Sequence, residues 1–228
     1  MPTSASRDEI RRDFDEIARL MPPHDDFGPH EEWLLTQLPE QRDSVLELGC
    51  GVGALARRLA GLFGKVVAVD FSEGMIEEAR RRSAAEINID FHTADMLAWL
   101  QDSPETYDCV VTVATLHHLN LAAALQAMAA SLRPNGRLLV LDLCRRPGLR
   151  HIPVNLTAWL IARGRDVLGS RGVSPRQLRS AYGRHGKNET YLSVTEVERC
   201  VGSLLPSATV RRHLLWRYSI VWDQPLPA

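Results

Sequence analysis

The sequence predicts an α/β protein built on a doubly wound, mostly parallel sheet, and three observations carry that expectation. A short apolar run, Val45-Leu46-Glu47-Leu48, feeds a turn with glycines at alternate positions, Gly49, Gly51 and Gly53, and then a helical stretch from Ala54 to Ala60. Four further apolar runs alternate with helical patterns, which implies parallel βαβ connections with right-handed crossovers. The chain then closes on two β-rich runs, Ala208 to Trp216 and Tyr218 to Trp222. They are too close for a crossover helix, so the sheet must finish in an antiparallel hairpin.

Size and composition agree with one domain, residues 1–228, since 228 residues leave room for a decorated three-layer core. Hydrophobic residues at 45% and charged residues at 24% are ordinary globular values. No run of ~18 apolar residues could cross a membrane. The first nine residues lack the apolar stretch of a secretory signal. Cys50, Cys109, Cys144 and Cys200 are widely spaced with no C-x-x-C pair, which points to reduced thiols in a cytoplasmic protein. None of the eight histidines forms an H-x-x-x-H pair, so no metal site is expected. Net charge is -1 but uneven: residues 145–188 hold ten Arg or Lys against the single Asp166. Such a block reads as a solvated face, or as an attractor for an anionic substrate, a membrane surface or RNA.

Taken in order, residues 7–21 place Ile10, Phe14, Ile17, Ala18 and Met21 at helical spacing, and Pro22-Pro23 ends that helix. A second helix is expected from Glu31 to Leu38, stopped by Pro39. A doubly wound sheet requires neither, so residues 1–40 read as a helical lid or flank. After the glycine turn, Lys65 to Val69 is the second strand, with Asp70 at its carboxyl end. Ser72 is placed to cap the next helix, whose early acids and late arginines suit the helix dipole. The third strand is expected from Ile87 to His92, leading to Ala94-Asp95-Met96. Tyr107 to Val113 forms the fourth, followed by Leu116-His117-His118-Leu119. An alanine-rich helix, Leu121 to Leu132, precedes a turn at Arg133-Pro134-Asn135-Gly136 and a fifth strand from Arg137 to Leu143. Residues 145–190 break the alternation, with helices expected around Val154 to Leu168 and Pro175 to Tyr182, and read as a basic cap over the substrate. Ser193-Val194-Thr195-Glu196 is a capping box that starts the final helix.

The glycine turn admits two readings. Gly49-x-Gly51-x-x-Ala54 satisfies a dinucleotide fingerprint, with Asp70 where that fold keeps its ribose acid. With Glu47 two residues before the first glycine, the nonapeptide Val45 to Gly53 also closely resembles the first motif of the class I S-adenosylmethionine (SAM) methyltransferases. That resemblance covers residues 40–144 strongly and 190–223 in outline. It implies a Rossmann-like, seven-stranded sheet of order 3-2-1-4-5-7-6, with the seventh strand antiparallel. The C-terminal hairpin fits this ending, whereas a nicotinamide-binding fold would add another parallel strand.

The resemblance also implies roles, residue by residue. Glu47 and the Gly49, Gly51, Gly53 loop would cradle the methionine half of SAM. Asp70 would accept the ribose hydroxyls, and Phe71 and Met75 would pack on the adenosine. Asp95 would take the adenine amino group with Met96 as an apolar wall, and Val113 would border the same site. The product would be S-adenosylhomocysteine. Phe14 to Ala18 resembles the segment that closes over the cofactor. His117 and His118 stand where such enzymes meet their substrate, and a general base is needed only if the acceptor must lose a proton. The absence of an Asn-Pro-Pro-Tyr-like tetrapeptide after Val113 takes support from methylation of nucleic-acid bases or glutamine. The expectation is therefore a methyltransferase acting on a small-molecule acceptor that could carry an acidic group. A nicotinamide-dependent oxidoreductase, a SAM-binding module without catalysis and an RNA-binding relative stand as alternatives.

Overall fold

In the computed structural model, the described residues are 7–22, 28–145, 180 and 191–226. Helix α1 (Arg7–Leu20) and helix α2 (Pro29–Leu35) precede strand β1 (Ser44–Leu48). Then come α3 (Ala54–Ala60), β2 (Lys65–Asp70), α4 (Glu73–Arg82), β3 (Ile89–Thr93), α5 (Met96–Asp102) and β4 (Tyr107–Val113). A 3-10 turn (Leu116–His118), α6 (Leu121–Ala130) and β5 (Leu132–Leu143) follow. The last described elements are α7 (Val194–Leu204), β6 (Thr209–His213) and β7 (Arg217–Asp223). The seven strands lie in the order β3-β2-β1-β4-β5-β7-β6. β3, β2, β1, β4 and β5 pair in parallel, and β7 runs antiparallel to both β5 and β6.

The expected sheet and its hairpin ending are both present. Interior parallel strands are covered on two faces, so they read as unbroken apolar runs, and β1 is buried at all five positions. Successive side chains point to opposite faces. Leu46, Leu48, Val110 and Val140 therefore pack with α5, α6 and α7 on one side. Val45, Ala68, Val111 and Leu139 pack on the other side with Leu34 of α2, Leu59 of α3 and Ile76 of α4. Buried Asp108 joins β4 to its neighbours by accepting from the Ser44 N–H at 2.8 Å and from Arg133 at 2.9 Å.

Boundaries differ from expectation at several places, four of them for a clear local reason. α2 starts at Pro29, whose fixed φ suits the first helical position, and ends at Leu35, before the chain reaches Pro39. β3 begins at Ile89 because Ile87 is fully exposed and has no sheet face to bury. α6 stops at Ala130, two residues short of Leu132. Arg133 to Gly136, expected as a turn before the fifth strand, lies inside β5 as an irregularity. The register with β4 shifts between Tyr107 and Cys109, and Asn135 takes φ 61. The expected cap across 145–190 and its two helices fall outside the described residues, apart from Arg145, Ser180 and the border at Tyr191.

The Asp15 side chain fastens α1 across the start of α4. Asp15 accepts from the Ser72 hydroxyl at 2.6 Å and the Gly74 N–H at 3.1 Å, at the positive end of α4. A Cβ on Gly74 would lie 3.1 Å from Asp15 Oδ1 and 3.2 Å from its Cα, so the missing side chain is what lets α1 come this near. Ile17 and Ala18 then bury against Val52 and Met75.

Candidate functional site

The carboxyl ends of β1, β2 and β4, with the turn after β3, converge on one edge of the sheet, where open α/β sheets take their ligands. Gly49 and Gly51 both have left-handed backbone, at φ 73 and φ 52. A Cβ on Gly49 would fall 2.1 Å from Thr115 Oγ1, so Gly49 is there to let the segment after β4 approach β1. At Gly51 no heavy atom lies within 4 Å of a built Cβ, and the turn faces open space. Gly53 sits underneath, against Ala79 and the Phe91 ring.

Asp70, at the end of β2, holds this turn in place. Its Oδ2 accepts from the Gly51 N–H at 2.8 Å and its Oδ1 from the Ser72 N–H at 3.0 Å. Burial pushes its carboxyl above the usual range, and those backbone donors pull it back in part. Glu47 lies behind the turn, 3% exposed, with Oε2 lacking a hydrogen-bond partner. Burial first, then the nearby Asp70 charge, raises Glu47 to about 8, against a smaller opposing pull from Arg57.

Two cavities share Gly49, Asp70, Phe71, Thr115 and His118 as lining. The smaller, about 100 Å³, runs between Asp70 and the Asp95–Met96 pair under Ile10 of α1. The larger, about 400 Å³, passes Gly51, Met75 and Val113 and ends at His117, Leu143 and Tyr191, with Phe14 and Met21 over it. Phe14 meets the Phe71 ring edge-on at 5.5 Å and the His118 ring at 5.9 Å. Of the residues expected at a site, Gly49, Gly51, Asp70, Phe71, Met75, Val113, His117 and His118 line the larger cavity, and Asp95 and Met96 the smaller. Glu47 and Gly53 stand behind the lining. Asp95 also caps α5, accepting from the N–H groups of Leu97 and Ala98 at 3.0 and 3.1 Å.

Several site residues were not singled out from sequence. Thr115 packs against Gly49, Tyr191 closes the far end, and Asp142 binds His117. For Asp142 the signal was present as an acid inside the apolar run Leu138 to Leu143. Among the described residues, no group of three or more His, Cys, Asp or Glu is arranged to hold a metal, and no helix is long and apolar enough to cross a membrane.

A strand–glycine turn–helix opening, an acid at the end of β2 and an antiparallel seventh strand together define a methyltransferase-type α/β domain. The family described as a methyltransferase domain matches residues 45–136. An uncharacterized methyltransferase of Mycobacterium tuberculosis is 32% identical over 199 residues, 86% of this chain and 95% of that protein. The chain belongs to the class I SAM-dependent methyltransferases. Demethylmenaquinone methyltransferase of Clavibacter sepedonicus is 28% identical over 75% of this chain and 66% of its own length. In fold, the chain resembles N-methyltransferase NodS from Bradyrhizobium japonicum WM9, solved with S-adenosylhomocysteine. The TM-score is 0.62 at 16% identity, over 93% of this chain and 98% of that one.

Proposed function

We propose that this protein transfers the methyl group of SAM to a small-molecule acceptor, with cofactor and acceptor meeting in the larger cavity. The observation that carries this reading is the placement of Asp70, Phe71 and the open side of Gly51 at one end of that cavity and His117 at the other. The demethylmenaquinone methyltransferase among its relatives, named for a small molecule, supports an acceptor of that class over a nucleic acid.

The residues present fit the cofactor. Gly51 offers space where a side chain would intrude, and Glu47 keeps a buried oxygen without a partner behind a turn that would face the charged methionine end. Gly49 and Gly53 keep that turn tight, and Val113 borders it. Asp70 retains lone pairs for a ribose diol beyond its two backbone bonds, because a carboxylate offers about four acceptor positions. Phe71 and Met75 supply apolar faces for adenosine, and Asp95 with Met96 a polar and an apolar wall for the base. When bound, SAM supplies a methyl carbon already activated by its sulfonium. The chain's own work is thus alignment, which can lower a barrier by up to ~7–11 kcal/mol, and exclusion of water, a role we assign to α1 as the lid. His117 and His118 are the groups at hand to accept a proton. An acidic group on the acceptor would suit the arginines of the 145–188 block.

Two measurements test the reading. In thermal melts SAM and S-adenosylhomocysteine should raise the transition, by ~2.7 kcal/mol at a hundredfold excess over Kd, and NAD(H) should leave it unmoved. Stabilisation by NAD(H) alone overturns the proposal. Asp70→Ala should weaken S-adenosylhomocysteine by about 1.5–3 kcal/mol, the range for hydrogen bonds to charged groups. Because Asp70 also anchors the turn, Asp70→Asn serves as the companion variant. Wild-type affinity in folded Asp70→Ala, read by calorimetric titration, would remove Asp70 from the site.

A further inference from the structure

Asp142 is a buried acid next to the carboxyl end of β5, with its side chain 1% exposed. A buried carboxylate is costly unless its oxygens are hydrogen-bonded. Here Oδ1 accepts from the Leu143 N–H at 2.6 Å and Oδ2 from the His117 N–H at 2.9 Å. The third partner is the His117 ring, with Nδ1 2.6 Å from Oδ1. A carboxylate is an acceptor only, so Nδ1 is the ring nitrogen that carries the hydrogen, and in the neutral imidazole the acceptor is then Nε2.

The ring is held from its sides as well. His118 lies 4.0 Å away and Tyr191 5.2 Å, centroid to centroid. His117 also forms the wall between the larger cavity and a neighbouring one of about 350 Å³ lined by Leu116, Leu121, Leu143, Leu192 and Tyr218. An imidazole of fixed tautomer, oriented by a buried acid beside a place for a reacting group, has the arrangement of a general base with its orienting partner.

Resting on the methyl-transfer reading above, we infer that Asp142 is a positioning residue that holds His117 in the Nδ1–H tautomer, so that Nε2 takes the proton of an acceptor hydroxyl as its oxygen is methylated. The acceptor O–H bond breaks and its proton goes to Nε2. The freed oxygen pair makes the new bond to the methyl carbon, and the methyl–sulfur pair leaves with sulfur. Asp142 balances the imidazolium charge. An acceptor without a proton to lose, such as a tertiary amine, would need none of this apparatus.

The test is a ¹⁵N spectrum of the histidine rings in the full chain with S-adenosylhomocysteine added, the His117 signals being assigned by their loss in His117→Gln. The wild type should show a protonated Nδ1 and a lone-pair Nε2, and Asp142→Asn should lose that pattern while S-adenosylhomocysteine affinity is unchanged. A wild-type Nε2–H tautomer, or an undisturbed Nδ1–H tautomer in folded Asp142→Asn, overturns the role of Asp142. If the variant does not fold, the wild-type spectrum decides. Phenol, the simplest aromatic hydroxyl probe, should move the Nε2 signal of the loaded wild type, and anisole should not. No movement with phenol, or equal movement with both, overturns the hydroxyl assignment. Failure of S-adenosylhomocysteine to bind the wild type would sink the cofactor reading instead, and leaves the tautomer result standing.

Discussion

Gly49→Ala is expected to cost this protein about 3 kcal/mol or more of folding stability, from two separable causes. The first is backbone conformation: Gly49 sits at φ 73, where a residue with a Cβ is strained by ~1–3 kcal/mol. The second is overlap. The new methyl would lie 2.1, 2.7 and 2.9 Å from the Oγ1, Cγ2 and Cβ atoms of Thr115, so that side chain must leave. Thr115 donates to the Val113 carbonyl at 3.0 Å, and losing that bond adds ~0.5–1.5 kcal/mol. Urea unfolding of Gly49→Ala, Thr115→Gly and the double variant forms a double-mutant cycle. The double variant should recover the overlap and keep the backbone cost. A single variant within about 1 kcal/mol of wild type would mean that the turn accommodates a side chain after all, against the cost expected of left-handed backbone.

Glu47 should make stability fall as pH rises. Its carboxyl stays protonated to about 8 in the folded chain and loses its proton near the ordinary 4.5 when unfolded. Between those values the folded state binds more protons, so raising the pH favours unfolding, and the loss is complete above about 8. At 1.36 kcal/mol per pKa unit, the whole effect is roughly 3–5 kcal/mol. Glu47→Gln has no proton to lose and should be level with wild type at pH 5 and more stable at pH 9, in denaturant titrations at each pH. Asp70 shifts in the same direction, but by its own burial and not through Glu47, so Glu47→Gln should leave that shift in place. The difference between wild type and variant therefore isolates Glu47 and its repulsion with Asp70. Parallel pH profiles would show that Glu47 ionises without penalty where it lies.

What could be read from the sequence follows from what was local. β1, β2 and β4 are visible because a strand covered on both faces leaves an apolar run behind it, and Asp70 is visible because it ends one. The capping box at Ser193 and Glu196 is visible for the same reason: its partners are three residues apart, and the structure closes it at 2.7 and 3.3 Å. Asp142 and His117 are 25 residues apart, and only the docking of the 3-10 turn against β5 brings them together. Thr115 and Gly49 likewise meet through the parallel register of β1 with β4. The position of Glu47 was plain, but its burial behind the turn, rather than in the lining, depends on how α3 and β2 close around it.

The antiparallel strand β7 lies inside the sheet, not at its edge, and its pairing with β5 has a consequence for how the chain can vary. Arg137 and Asp223, joined at 2.6 Å, are 86 residues apart in sequence. Bringing such distant partners together is an entropic cost that grows only with the logarithm of the intervening length, so doubling that stretch adds just ~0.6 kcal/mol. One good hydrogen bond offsets as much. By closure entropy alone, a longer stretch between β5 and α7 therefore costs the sheet little. The turns after β1, β2 and β4, where we propose that SAM binds, lie outside that interval, so a change of length there leaves them in place.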